Sequence, residues 1–191
     1  MKLKQTTFSA LLLLLVLQSV AQVSPRNGYI GISIGPSIPI GEFKDEALAN
    51  TGVNLSLINF GYLFNGRFGI AANWFGGAHV IDSSPFGLSD GMWSYGGLIA
   101  GPLISNRVGN QLDLDVKLQI GFSAADMELE GYHVDGTGFA YSFGIGIRTH
   151  LSQRLSLSVN ADMLTFNAKG DYMQRKIQTI HPTIGLNYRF R

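Results

Sequence analysis

The chain has 191 residues and a net charge of +1, and only 14% of its residues are charged. That balance gives no electrostatic case for a nucleic-acid partner or an acidic substrate. Cysteine is absent, which excludes disulfides and a lipidated cysteine anchor, so an exported form must rely on a large core or a closed hydrogen-bonded framework.

In chain order, the basic start Met1-Lys2-Leu3-Lys4, the apolar run Ala10 to Leu17 and the small residues Ser19 and Ala21 predict a secretory signal peptide at 1–21, with 22–191 forming one domain. The run is too short for a spanning helix, which needs about 20 apolar residues. Ile30, Ile32 and Ile34 then alternate with Tyr29, Gly31, Ser33 and Gly35. Weaker alternation covers Gly52 to Phe64, Phe68 to Val80 and Met92 to Ile104, where Ile58, Phe60 and Leu98 fall on the nominally polar face. A bulge or a partly apolar interior accounts for them. From Leu112 to Ser123 every position obeys period two, and the pattern returns over Phe139 to Arg148, Leu155 to Met163 and Thr179 to Phe190.

These segments predict eight strands of roughly 10 to 14 residues, suited to a tilted membrane crossing of ~9 to 11. Short turns are expected at Asn65-Gly66, around 105–110 and at 151–154, and long polar loops at 41–51, 81–91, 124–137 and 167–176. Short turns on one side and long loops on the other are the layout of outer-membrane barrels, with the short side periplasmic. Tyr62, Phe64, Phe68, Tyr188 and Phe190 fall at the short-turn ends, and Trp74, Phe75, Trp93, Tyr95, Phe139 and Tyr141 toward the other end, as two interfacial belts would. A soluble lipocalin-like barrel would carry a charged outer face. Here the polar face is mostly Gly, Ser, Thr and Asn, which belongs inside, with the apolar face toward lipid. The expected fold is an all-β, eight-stranded, antiparallel up-and-down transmembrane β-barrel.

The signal peptide, the strands over 28–190 and the closing Gly185-Leu186-Asn187-Tyr188-Arg189-Phe190 resemble the small outer-membrane barrels of the OmpA and OmpX type, including the PorT-like barrels of Bacteroidetes. The resemblance implies Sec-type export to a bacterial outer membrane and a monomer seated in outer-membrane lipid and lipopolysaccharide. It also implies that Phe190 is the signal for the barrel assembly machinery, although Arg191 follows it. OmpA-type proteins often add a peptidoglycan-binding domain after the barrel, and that function is not expected here.

His150-Leu151-Ser152 resembles the His-x-Ser pair of barrel lipid A deacylases, yet it falls at an expected periplasmic turn, far from the outer leaflet, and reads as a polar turn. His79 and His133 have no second histidine at ligand spacing, which argues against a metal. The glycine runs lack the lysine and helix of a phosphate loop, so no cofactor is expected. Asp113, Asp115, Lys117, Arg148, Asp162, His181 and Arg189 share the interior face, where opposed charges form a paired plug more readily than a catalytic centre. Centring the loops sets Asp113 opposite Arg148 and Asp162 opposite His181. The leading function is therefore a structural or surface-interaction barrel of unknown loop partner, with a small pore and a lipid-modifying enzyme as alternatives.

Overall fold

The computed structural model describes residues 27–45, 49–81, 91–129 and 132–190. The expected signal peptide lies outside them. Eight strands run β1 Gly28–Pro39, β2 Gly52–Leu63, β3 Phe68–Val80, β4 Gly91–Val108, β5 Leu112–Leu129, β6 Tyr132–His150, β7 Leu155–Lys169 and β8 Gln174–Phe190. Each is antiparallel to its neighbours, and β1 pairs with β8 from Gly28 opposite Phe190 to Pro39 opposite Thr179, closing the barrel. Closure leaves no unpaired sheet edge, which is what lipid demands of a spanning sheet.

The outer face is apolar. Ile32, Leu118, Ile120 and Ile184 are each between half and two-thirds exposed, and Phe122 is 75% exposed. A contiguous apolar surface of this extent has no place in water. The interior holds Ser33, Asn54, Ser56, Asn59, Gln119, Ser158 and Asn187, all buried.

The weak segments resolve individually. Between Ser56 and Ile58 the register of β2 shifts against both of its neighbours, so Leu57 and Ile58 both face out and Asn59 returns to the lumen. This bulge carries Ile58 and Phe60 to the lipid side. No shift interrupts β4: Leu98 faces lipid at 61% exposure, while Trp93, Tyr95, Ile99 and Leu103 point inward and are buried. The interior is therefore partly apolar.

The expected long loops are shorter than their polarity suggests. The β5–β6 ladder continues through Ala124 opposite Thr137 to Leu129 opposite Tyr132, inside the expected loop 124–137. The β7–β8 ladder likewise runs to Lys169 opposite Gln174. In these extensions the outward face turns polar, with Asp126, Glu128, Asn167 and Lys169, while Ala125 and Ala168 stay buried inside, so the apolar-outside alternation ends although backbone pairing continues. At the other end β4 reaches Val108, and the turn that follows uses Gly109 at φ 67°, as the first turn uses Gly66 at φ 77°. The expected loop at 41–51 begins with a single helical turn, α1 (Glu42–Asp45), and Ala49 bridges to Ile81. Residues 82–90 lie outside the described part.

Candidate functional site

The lumen is the densest collection of buried polar chemistry, and the barrel divides it into two levels. Nearer the short turns, β5 and β6 place Asp113 opposite Arg148, as centring their loop predicts. Arg148 is the hub. Its Nη1 lies 3.2 Å from Asp113 Oδ2, while Nε and Nη2 donate to Asp115 Oδ2 and Oδ1 at 3.1 and 3.2 Å. The guanidinium plane sits 4.3 Å from the Tyr29 ring centroid, a cation–π contact inside the wall. Asp113 also accepts from Arg107 Nε at 3.1 Å and from His150 Nε2 at 2.8 Å. Charge-assisted, bidentate bonds of this kind compensate part of the cost of burying the ions.

One level further in, Lys117 and Asp162 form an ion pair at 2.8 Å across the intervening strand. Gly144 lies opposite both residues in the ladders of β6. A Cβ there would collide with the Asp162 carboxylate and crowd the Lys117 chain, so the missing side chain opens the path between them. The register sets Asp162 opposite His181, as expected, but the two side chains take different partners. Asp162 is taken by Lys117, which reaches over Gly144, and His181 turns toward Tyr95.

Toward the hairpin end the lumen turns aromatic. Phe75, Trp93, Tyr95, Leu164, Phe166 and Ile177 pack inward, and Phe43 of α1 covers them with its ring 5.1 Å from His79 and 5.6 Å from Trp93, edge-on to both. Phe75, Trp93 and Tyr95 are thus core residues, a correction to their place in an interfacial belt. Trp74, Phe139 and Tyr141 do face outward. Tyr95 covers Gly77, its direct partner on β3, and Tyr29 covers Gly61 on β2 in the same manner.

A hydrogen-bonded chain threads this aromatic level. His79 Nδ1 donates to the Asn50 carbonyl at 2.7 Å, which leaves Nε2 of a neutral ring to accept from Ser37 Oγ at 2.9 Å. Ser37 then accepts from the Tyr95 hydroxyl at 2.6 Å, and Tyr95 accepts from His181 Nε2 at 2.8 Å. A serine held by a histidine that is itself oriented by a carbonyl has the connectivity of an activated nucleophile. Yet Ser37 is completely buried, and the Tyr95 hydroxyl and Phe43 fill the space around the pair, so no acyl group has a place to sit. Here the chain satisfies polar groups inside an apolar core.

The family of the chain follows from the closed barrel and its apolar outer face. The sequence matches the outer membrane protein β-barrel domain over residues 7–190. The chain belongs to this outer-membrane β-barrel family. Membership places it in the bacterial outer membrane. No curated protein sequence matches it significantly. Among solved structures it is similar to Neisserial surface protein A at TM-score 0.61 and 11% identity, covering 85% of this chain and 97% of that one. Ail, the attachment invasion locus protein of Yersinia pestis, aligns at TM-score 0.47 and 20% identity over 86% and 99% of the two chains. The outer membrane protease OmpT of Escherichia coli aligns at 0.46 and 10% over 90% and 99%. At these identities the likeness concerns the fold, and many functions share one fold.

Within this family member, the remaining candidates fall as follows. Arg189 is buried at 1% exposure, with Nη1 3.4 Å from the Ser152 carbonyl. Phe190 pairs with Gly28 and its ring covers that glycine, closing the barrel seam. His150 points into the lumen, whereas Ser152 Oγ accepts the backbone N–H groups of Arg154 and Leu155 in the turn, so the two never meet. His133 sits on the β5–β6 hairpin, 3.0 Å from Asp126. His150, read from the sequence as part of a polar turn, instead shares parity with Arg148 on β6 and joins the ion cluster, and Tyr29 and Ser105 beside Arg148 were not foreseen. Parity was the available signal for His150. The Ser37, His79 and Tyr95 chain, whose members lie on three strands, had none.

Proposed function

We propose that the protein is a closed outer-membrane barrel acting through its hairpin-end surface, not a pore or an enzyme. The observation that carries this reading is the filling of the lumen at two levels, by the Arg148 ion cluster and by the Phe43-capped aromatic core. An eight-stranded barrel has an interior only just wide enough for its own side chains, and here those side chains are bonded to one another. The hairpin end faces outward from the cell and the short turns face the periplasm, following Sec-type export and loss of residues 1–21. The working surface is then the projecting β5–β6 and β7–β8 hairpins with α1.

Planar-bilayer recording of the purified barrel tests the closed lumen. The expected trace shows no steady ohmic conductance, and a stable multi-ion pore would overturn the reading. A peptide tag inserted at Asn65-Gly66 is expected to stay inaccessible to antibody on intact cells, and surface labelling there would invert the orientation.

A further inference from the structure

The outward face of the β7–β8 hairpin carries a feature the closed-lumen reading leaves unused. On β7, Leu164, Phe166 and Ala168 point inward, so Asn167 and Lys169 point out; on β8, Ile177 and Thr179 point inward, so Gln174 and Lys176 point out. Asn167 stands opposite Lys176, and Lys169 opposite Gln174. The two lysines are thus diagonal neighbours on one face, with backbones roughly 7 to 8 Å apart. Neither has an ion-pair partner among the described residues. Together with Arg175 and Glu42 of α1 these residues line a cleft of about 460 Å³.

Below this group Thr165, opposite Gln178, is buried, and the outward column resumes at Met163 opposite Ile180, then Val159 opposite Ile184 and Leu157 opposite Leu186. The polar group therefore sits directly above an apolar strip that faces lipid chains. Two uncompensated ammonium groups flanked by carboxamide donors, at the height where hydrocarbon gives way to headgroups, match a phosphate attached to a lipid. The β5–β6 hairpin is the opposite: its outward pairs are Asp126 opposite Asp135 and Glu128 opposite His133, which repel a phosphate. We infer that Lys169 and Lys176, with Asn167 and Gln174, form a binding site for the phosphate of a phosphorylated glycolipid in the surrounding leaflet. The assignment to the outer leaflet rests on the proposed orientation, whereas the site itself does not.

The test is native mass spectrometry of the folded barrel in detergent, titrated with diphosphoryl lipid A. This readout is independent of orientation, so its failure and the failure of the outward-facing reading are separable. The parent is expected to retain one lipid A, and K169Q/K176Q to bind roughly tenfold more weakly or less. K169R/K176R should keep binding, Glu42→Gln should strengthen it by removing the one carboxylate of the cleft, and D126N/D135N should leave it unchanged. Both lysines face outward, so heat-modified gel mobility should confirm that each variant is folded. Equal binding by K169Q/K176Q, equal binding of fully dephosphorylated lipid A, or full competition by heparin fragments would overturn the site, the last by showing a preference for soluble polyanions over lipid.

Discussion

The two levels of the lumen solve one problem in opposite ways. Near the turns, Arg148 is shared by Asp113 and Asp115, and buried charge is tolerated because Asp113 is held by Arg107, Arg148 and His150 and Asp115 by two bonds from Arg148. Near the hairpins, Trp93, Phe75 and Phe166 fill the space with rings, and a neutral hydrogen-bonded chain runs among them. The ionic level is therefore brittle toward loss of one partner, because the others are left as unpaired buried charges. The aromatic level should lose less when one polar atom goes.

The largest effect separating the two is expected from Arg148→Met, which strands the Asp115 carboxylate, leaves Asp113 to Arg107 and His150, and should cost about 3 to 5 kcal/mol in urea unfolding followed by gel mobility. Adding Asp113→Leu should recover little, since Arg148 holds Asp115 with two bonds; adding Asp115→Leu as well should recover most of it. Recovery with Asp113→Leu alone would show that Asp115 is not held as described. In the aromatic level, Tyr95→Phe breaks the chain between Ser37 and His181 and should cost about 1 to 3 kcal/mol in the same assay. A loss matching that of Arg148→Met would erase the contrast. The smallest change in global stability is expected from Phe43→Ala, because α1 can detach without unpairing a strand. In a Trp74→Phe background, that variant should shift Trp93 fluorescence to the red and expose it to acrylamide. An unchanged spectrum would mean that Phe43 does not cover the core.

The ionic level was legible in sequence and the aromatic one was not, for a physical reason. Asp113, Asp115 and Lys117 stand at every second position of a segment whose other positions are apolar, so their face is plain. Over Met92 to Ile104 of β4 both faces carry apolar residues, with Trp93, Tyr95, Ile99 and Leu103 set against Met92, Leu98, Pro102 and Ile104, and this stretch has no polar inward member to mark the inside. An aromatic ring near a strand end suits a lipid interface and a lumen equally well. The β2 bulge was visible as a fault in alternation at Ile58 and Phe60, though its position at Leu57 was not.

By itself the sequence determined the eight strands, their alternation, the short turns at one end, and the register that sets Asp113 against Arg148. These depend on period two, on turn residues and on loop length, all of which are local. Only the tertiary structure decided which charges meet. Lys117 reaches Asp162 because Gly144, on the strand between them, has no side chain. Closure of the ring likewise brings Ser37, His79, Tyr95 and His181 from four strands to one height in the lumen, a contact that no spacing along the chain encodes.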